Sequence, residues 1–519
     1  MIKNNSSEIT NSNSTQKHYL IFAVLIAISL GLASQILSYH YNYNFAYRDS
    51  IFRLEAARRF FDSNTPGMIN QMGTVWLPVP NLILMPFSYI DFLWETGLAA
   101  SIVNFPSFVI CAIFIFLSIK KLTKNAEATW FGFLMFVFNY NILYFQTTSM
   151  TEQFYLTFLI CSFYFLLTWA IENKIMHLIY SSIFICFSVG TRYDAWPVAL
   201  AAIVIVFVIC IYDKDKPVEH TLIFGLPPIF LIISWFLYNW IWYGDPLEFS
   251  RGRFSTLHQL EYYEDQGRLL TKNNFWLSAK VYLSSVLLYS GKLYTIMGFI
   301  GLIIYILKNK LSAKSLPVYL LWVALPTTLI LLLKGQLIIE LPDSEPAGYF
   351  NSRYGLYLFP AIAVFSGITA SYLLKWKRLK IFLYLLLAYI FIIQQLKFFD
   401  DFPAYIPSIA EAEYSYSKPS EDLSFFLKYN YKGGKILYDN LIFALYPWTG
   451  IDLDDRITFH TYKIAERVMN TPSQYVNWVL VYKDAPNDKI YEAVKNNPDF
   501  LNNFELKFSE SGVEAYVKK

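Results

Sequence analysis

Tyr47-Arg48-Asp49-Ser50-Ile51-Phe52-Arg53-Leu54-Glu55-Ala56-Ala57-Arg58-Arg59, continued by Thr65-Pro66-Gly67 and Gly73-Thr74-Val75-Trp76-Leu77-Pro78-Val79-Pro80, lies between two apolar runs, Tyr19–Leu37 and 97–119. About twenty apolar residues cross the hydrocarbon of a bilayer, so each run is a spanning helix. The quoted stretch therefore belongs to a long polar loop, residues 38–96, at a membrane surface. Its spacing predicts a helix after Asp49, with Glu55, Arg58, Arg59 and Asp62 on one face and Ile51, Leu54, Phe60 and Phe61 largely opposite. Such a helix is expected to lie along the interface rather than cross it. Long loops of this kind are usually functional or packed on one another.

Working outward, Tyr19–Leu37 is longer than a signal-peptide core and no small-x-small cleavage site follows it, so it reads as a retained helix. Residues 1–17, rich in Asn, Ser and Thr, read as a disordered cytoplasmic tail. Further apolar runs at 126–147, 153–171, 175–190, 195–212, 220–242, 283–307, 316–338, 353–374 and 381–397 bring the count to eleven, within a range of ten to twelve. If the eleven alternate, the clusters Lys120/Lys121/Lys124, Lys214/Lys216, Lys308/Lys310/Lys314 and Lys375/Lys377/Arg378/Lys380 all fall on one side. The positive-inside rule makes that side cytoplasmic. The expectation is an integral plasma-membrane protein with a cytoplasmic N-terminus. Its loops 38–96 and 243–282 and everything beyond residue 398 then lie outside.

Composition agrees with a bilayer. Of 519 residues 55% are hydrophobic and only 16% charged, with a mean hydropathy of +0.36, where soluble domains carry about a quarter charged residues. Residues 1–398 hold 29 Lys+Arg against 21 Asp+Glu, and residues 399–519 hold 13 against 18. Neither region reads as a nucleic-acid binder. Cys111, Cys161, Cys186 and Cys210 sit in apolar runs as small packing residues. No zinc motif is present, and no ligand motif supports a divalent metal or other cofactor. The tail reads as a separate α/β domain, 399–519. Its expected helices are Glu421–Tyr429 and Asp488–Lys495, and its expected strands Lys435–Tyr438 and Trp478–Tyr482. Glu505–Phe508 and Val513–Val517 form a hairpin about Ser511-Gly512.

Arginine is distributed asymmetrically. Nine of twelve (Arg48, Arg53, Arg58, Arg59, Arg192, Arg251, Arg253, Arg268 and Arg353) lie outside or at outward helix ends, while the inner loops use lysine almost throughout. Arginine marks interfaces by snorkelling. It also offers phosphate a planar fork that lysine lacks, so the outward set points to a phosphate-bearing ligand.

The loop quoted above resembles the first external loop of GT-C glycosyltransferases, the superfamily of protein O-mannosyltransferases and lipid A aminoarabinose transferase. It is most similar to a prokaryotic branch with an acidic residue, an interfacial helix and a Trp-Leu-Pro-x-Pro turn. Thr148-Ser149-Met150-Thr151-Glu152 resembles the acidic second external loop. Thr191-Arg192-Tyr193-Asp194-Ala195-Trp196 resembles a third-loop pattern, and Ser352-Arg353-Tyr354 with Pro360 resembles the Arg-Tyr…Pro start of a late helix. The resemblance spans residues 20–375 and implies a GT-C-like transmembrane catalytic domain, 18–398. The tail fits only as the variable outer domain that many members carry.

The resemblance implies roles that compete with plain structural ones. Asp49 stands where the family places the base that activates the acceptor hydroxyl, yet an Asp before a helix is also a common N-cap. A phosphate leaving group departs without protonation, so a single carboxylate suffices. Glu152 corresponds to a functional acid, but Ser149-x-x-Glu152 also reads as a capping box. The acidic pair of many members is absent at Asp49, which sets a first-loop metal in doubt. Arg353 begins a helix, where the dipole disfavours a cation. The resemblance makes it a donor-phosphate contact with Tyr354 beside it, although Asp343 and Glu345 offer neutralisation. Arg192 is assigned to the same phosphate, with Asp194 as its ordinary alternative partner. Arg251 and Arg253, after the Tyr243-Gly244-Asp245-Pro246 turn, line the same basin or serve the interface. Arg58, Trp76 and Asp194 are assigned to the substrate loop.

The implied reaction is inverting transfer of a sugar from a polyprenyl-phosphate carrier to the hydroxyl of a lipid, glycan or protein acceptor. It takes place at the outer face of the membrane, in construction of the cell envelope. Two other classes stay open: a lipid or sugar transporter or flippase, for which only Lys292 and Lys334 are notable intramembrane charges, and a non-catalytic GT-C-fold assembly protein. The Trp-Trp-Asp-Tyr-Gly motif of oligosaccharyltransferases is absent.

Overall fold

The computed structural model describes residues 4–519 apart from 66, 253–254, 310–311, 345–346, 398–405, 416–417, 441, 459–461 and 486–487. Of 4–16, 397, 414–415 and 462–463 it describes the backbone alone. The chain divides into two compact units. One comprises Met1–Tyr41, Thr74–Pro80 and Asn104–Tyr414, and the other Asn42–Gly73, Asn81–Val103 and Ser415–Lys519.

The first unit is helical. Among the described residues eight helices are long and apolar enough to cross a membrane: Lys17–His40, Leu98–Thr123, Glu152–Glu172, Ala195–Asp213, Pro217–Tyr243, Lys292–Asn309, Ser352–Leu373 and Lys377–Leu396. A ninth is a pair, Ala313–Trp322 and Ala324–Leu333, bent by 47°. Two shorter apolar helices are Ala126–Val137 and Ile175–Val189. Each of the eleven apolar runs overlaps one of these segments, but only eight, or nine with the bent pair taken as one span, are long enough to cross. The first helix runs over Asn4–His40, so its backbone continues into the stretch that the sequence reads as disordered.

Runs that read as single spans are broken where a residue cannot continue the helix. The 126–147 run stops at Val137 because Asn139 turns its side chain onto the N–H of Ile142, at 3.1 Å, and starts a new helix. The 283–307 run is two helices, Phe275–Ser290 and Lys292–Asn309, parted by Gly291 at φ +85°. That value lies in the left-handed region open to glycine. Pro326, in the first turn of Ala324–Leu333, cannot donate to the preceding turn, and the bend lies there. Two helices form the centre of the unit. Ser352–Leu373 has 83% of its apolar window buried and Glu152–Glu172 has 78%, against 22% for Lys377–Leu396 at the periphery.

The second unit contains a five-stranded mixed sheet. Its strands are β1 (Ile436–Leu437), β2 (Arg456–Ile457), β3 (Trp478–Tyr482), β4 (Phe504–Glu510) and β5 (Val513–Lys518), in the order β2-β1-β3-β5-β4. β1 runs parallel to β2 and β3, whereas β5 is antiparallel to both β3 and β4. Successive side chains of a strand face opposite ways. Val479 and Val481 accordingly join Leu437, Ile457, Ile490 and Phe500 on one face. Trp478 and Leu480 join Ile436, Tyr438, Leu423 and Leu427 on the other. Both faces are covered, as parallel pairing requires. The expected helices and hairpin are present, at Lys418–Asn430, Lys489–Val494 and β4–β5. β2 and the helix Tyr462–Asn470 are additions to that expectation.

The first-loop helix, Arg48–Arg58, belongs to this unit and not to a lipid interface. Ile51, Leu54 and Ala57 pack with Trp94, Leu84, Ala444, Tyr446 and Leu453. Its polar side is equally enclosed, since Arg53, Glu55 and Arg58 are buried. The amphipathic pattern is real, but the polar stripe faces protein partners instead of water.

Candidate active site

In the first unit three segments converge on one carboxylate. Glu152, fully buried, is the first residue of its helix, with Thr151 as N-cap. It is therefore not the third helical residue of a capping box. Its Oε1 lies 3.1 Å from Arg192 Nη1 and 3.2 Å from Arg353 Nε, and it accepts from the Tyr357 hydroxyl at 3.3 Å. Arg192 stands in the turn before Ala195–Asp213. Its Nε binds Asp194 at 2.9 Å and its Nη1 reaches the Thr151 hydroxyl at 3.1 Å. Its guanidinium lies over the rings of Tyr357 (4.8 Å) and Tyr354 (5.5 Å). Two cations sharing one buried acid hold these three helix ends together, and removal of one partner of such a pair costs about 3–5 kcal/mol.

Arg353 occupies the second position of the 3-10 segment Ser352–Leu358, ahead of the helix Phe359–Leu373. Beyond Glu152, it is held by Glu411, in the helix Pro407–Ser415; Glu345 lies outside the described residues. Glu411 Oε1 meets Arg353 Nη1 at 2.5 Å, and Oε2 accepts from the Arg353 backbone N–H at 3.0 Å. Oε2 also accepts from the hydroxyls of Ser352 and Tyr289, the latter at 3.1 Å. A carboxylate on the free N–H of a helix start offsets the positive end of the dipole, which is how an arginine is tolerated there. Ser285 Oγ binds the Ser352 carbonyl at 2.6 Å, and a Cβ on Gly355 would come within 2.3 Å of the Ser285 carbonyl oxygen. Only glycine permits that approach.

The Trp-Leu-Pro-x-Pro turn joins the same unit. Tyr193 donates its hydroxyl to the Val75 carbonyl at 2.9 Å and accepts from Trp235 Nε1 at 3.0 Å, while Val79 N–H binds the Gly190 carbonyl at 3.0 Å. Trp76, between those two contacts, is half-buried. Arg251 is exposed and closes on its own turn, binding Asp245 at 2.6 and 2.8 Å. Arg253 lies outside the described residues. Arg268 grips Glu340 through three contacts of 2.6 to 2.9 Å and lies over Tyr263 at 4.5 Å.

Asp49 and Arg58 belong to the second unit. The N-cap of Arg48–Arg58 is Tyr47, so Asp49 lies inside the first turn, where the dipole favours a carboxylate, and does not cap the helix. Arg58 spends every nitrogen on protein: Nε on Asp62 (3.2 Å), Nη1 on the carbonyls of Ser88 and Tyr89 (3.1 and 3.0 Å), Nη2 on Asp91 (2.6 Å). Its guanidinium also covers Trp94 at 4.8 Å. It is a structural clamp, and the substrate-loop assignment does not suit it. Glu55 is held by Arg456 at 2.8 Å, and burial raises its carboxyl above the usual range against the pull of Arg456 and Arg59. The arginines with these contacts thus fasten acids of the protein, which accounts for much of the arginine asymmetry without a phosphate.

Sequence reasoning brought together Glu152, Arg192, Asp194, Arg353 and Tyr354, and it missed Glu411, Tyr289 and Tyr357. Tyr357 had a local signal, standing one turn beyond Arg353. Glu411 had none, because it follows the last apolar run.

No family model and no curated protein matches the chain. Solved structures do. ArnT from Cupriavidus metallidurans, an aminoarabinose transferase, aligns at a TM-score of 0.58 with 9% identity, over 97% of this chain and 98% of that one. The archaeal oligosaccharyltransferase AglB from Archaeoglobus fulgidus, solved with an inhibitory peptide and a dolichol-phosphate, aligns at 0.52 with 12% identity, over 97% and 74%. These likenesses show the fold alone: the chain shares the architecture of both proteins, a set of long apolar helices with a C-terminal domain.

Proposed function

We propose that this chain is an inverting glycosyltransferase that moves a sugar from a polyprenyl-phosphate carrier to an acceptor hydroxyl at the outer face of the membrane. The observation that carries the reading is the meeting, in one buried cluster, of three segments singled out by the GT-C resemblance: Glu152, Arg192 with Asp194, and Arg353 with Tyr354. The fold points the same way, since an aminoarabinose transferase shares it over nearly the whole of both chains, and a protein of this fold was solved with a lipid phosphate.

On this reading Arg353 and Arg192 hold the donor phosphate. Two guanidiniums facing Glu152, Asp194 and Glu411 carry no surplus positive charge, so an incoming phosphate has to displace a carboxylate. Glu411 is the one to yield, because Glu152 is also the joint between the helix ends. As the anomeric bond breaks, charge spreads over the phosphate oxygens, and a preformed fork stabilises it without reorganisation. No general acid is needed for that leaving group. Asp49 is assigned as the base that takes the acceptor proton.

One observation favours a second reading, a non-catalytic assembly protein of the same fold: both arginines already hold carboxylates within the unit. Purified protein offered labelled polyprenyl-phosphate sugars separates the two. Release of polyprenyl phosphate from one donor class is the expected result. Donor binding without consumption, across the panel and with acceptor-rich membrane extract supplied, would establish the assembly protein instead.

A further inference from the structure

Two helix ends in the first unit set ammonium groups against each other. The helices Lys292–Asn309 and Phe359–Leu373 run side by side, so close that a Cβ on Gly301 would collide with the Phe365 carbonyl. Thr369 Oγ1 donates to the Met297 carbonyl at 2.7 Å and ties the same faces together. Lys308 stands in the last turn of the first helix and Lys375 two residues beyond the second. Their ammonium groups lie within hydrogen-bonding reach of each other, and that of Lys308 also covers the Tyr372 ring at 4.6 Å. A helix C-terminus favours a lysine, but two ammonium groups side by side repel, and neither can accept a hydrogen bond.

An acid would be the ordinary remedy, and the surroundings do not supply one. Segments 308–314 and 372–381 hold seven cations and no Asp or Glu. Among the described residues Lys314 pairs with Asp213 at 3.6 Å and Lys380 with Glu127 at 3.5 Å, whereas Lys308, Lys375, Lys377 and Arg378 form no ion pair.

Position narrows what the missing anion is. Trp376, between Lys375 and Lys377, is 61% exposed, and Ile381, at the start of the next span, is 78% exposed. Exposed tryptophan beside basic residues at the ends of spans belongs to the headgroup level of a bilayer. A soluble phosphate could meet the two ammonium groups but would leave Trp376 and Ile381 in water, while a phospholipid brings the phosphate and covers both. A zwitterionic headgroup would add a further cation beside Lys377 and Arg378. An anionic one does not, and basic recesses between helix ends are recognised sites for such headgroups.

We propose that Lys308 and Lys375 hold the phosphodiester of one anionic phospholipid, in the leaflet on the lysine-rich side of the membrane. The site involves no sugar donor and stands whether or not the chain transfers sugar. Its test titrates the full chain, in neutral detergent micelles, with phosphatidylglycerol and separately with phosphatidylcholine, and native mass spectrometry counts the lipids bound. Phosphatidylglycerol should bind at least tenfold more tightly. Lys308→Gln with Lys375→Gln should lower its affinity about 25-fold, at about fivefold for each lysine. Lys214→Gln with Lys216→Gln, an equal loss of charge from the same side, should leave it unchanged. All four lysines are exposed, so both double variants should fold, and Lys308→Arg with Lys375→Arg should bind as the parent does. Equal affinity for the two lipids, or equal losses in the two Gln pairs, would reduce the cluster to general positive charge and overturn the site. Displacement of phosphatidylglycerol by glycerol 3-phosphate at ten times its concentration would overturn the lipid assignment in favour of a soluble phosphate.

Discussion

Arg353 and Glu411 are joined twice, side chain to side chain at 2.5 Å and backbone N–H to carboxylate at 3.0 Å, with 13% and 3% of the two side chains exposed. The pair brings together two segments of the first unit that are 58 residues apart in sequence. The same guanidinium reaches Glu152 at 3.2 Å. Any phosphate that binds Arg353 therefore competes with a carboxylate already seated on it.

That competition has a measurable sign. Glu411→Gln keeps the shape and most hydrogen bonds but removes the charge, so binding of polyprenyl phosphate to the purified protein should tighten severalfold. Arg353→Ala should weaken it at least tenfold. Arg353→Lys, which retains charge without the fork, should fall between, with a milder loss from Arg192→Lys. If Glu411→Gln weakened binding as much as Arg353→Ala, the acid would be positioning the arginine and not excluding phosphate.

Asp49→Asn separates catalysis from helix electrostatics. Loss of a first-turn carboxylate costs the helix about 0.3–1 kcal/mol, which leaves the fold standing. Loss of a general base lowers turnover by roughly two to four orders of magnitude. The expected result is slow transfer with donor binding unchanged. Full turnover would leave Asp49 as a partner of the helix dipole.

Orientation follows from lysine and is checked by labelling. In a variant lacking Cys111, Cys161, Cys186 and Cys210, single cysteines placed beside Arg192 and Arg353 should react with an impermeant maleimide in intact cells. One beside Lys124 should react only after lysis. The reverse pattern would invert the topology.

The eight long apolar helices were legible because bilayer thickness forces long apolar runs, whereas the runs at 126–147 and 175–190 hold helices of only 12 and 15 residues. Their interruptions were less so, since Asn139, Gly291 and Pro326 act through local geometry that a hydropathy window averages away. The convergence of Glu152, Arg192 and Arg353 was visible only through resemblance. Glu411 was not visible at all, as nothing in its own neighbourhood marks an acid that will meet Arg353. The first-loop helix shows the same limit. Its polar face was read as water-facing because Arg456, the partner of Glu55, lies 401 residues away. A two-residue strand such as β2 carries too short a pattern to read.

Stability of the second unit should depend on acid pH. Asp488 accepts from the N–H groups of Tyr482, Ile490 and Tyr491, yet burial pushes its carboxyl up to about 6, with Asp439 adding to the rise. A carboxyl whose folded pKa is raised is protonated in the native state while the unfolded chain has already ionised. Its contribution is full below about pH 4 and is lost as pH rises to about 6, a change of about 3 kcal/mol. Thermal unfolding followed by tryptophan fluorescence from pH 4 to pH 7 should show that decline. Asp488→Asn should flatten it, and an unaltered slope in that variant would assign the effect to other acids.

The tail supplies most of the second unit's core, which sets what truncation does. A chain ending near Asp401 loses Ala444, Tyr446 and Leu453 from around Ile51, Leu54 and Trp94. It also loses Arg456, leaving Glu55 as a buried charge without that partner, at a cost of about 3–5 kcal/mol. The first loop of such a chain should open, and trypsin should cut at Arg53, Arg58 and Arg59, sites that the intact protein protects. Point variants separate the ion pair from the rest of the tail. Arg456→Met alone should expose the same sites, because it strands the Glu55 carboxylate. Combining it with Glu55→Met removes both charges at similar volume and should restore much of the protection, since buried pairs are often replaceable by apolar side chains. If the double variant were cut as fast as Arg456→Met, the guanidinium's bonds to the Leu445 and Ile451 carbonyls, at 3.3 and 2.8 Å, would be what holds the loop, and Glu55 would be incidental to it.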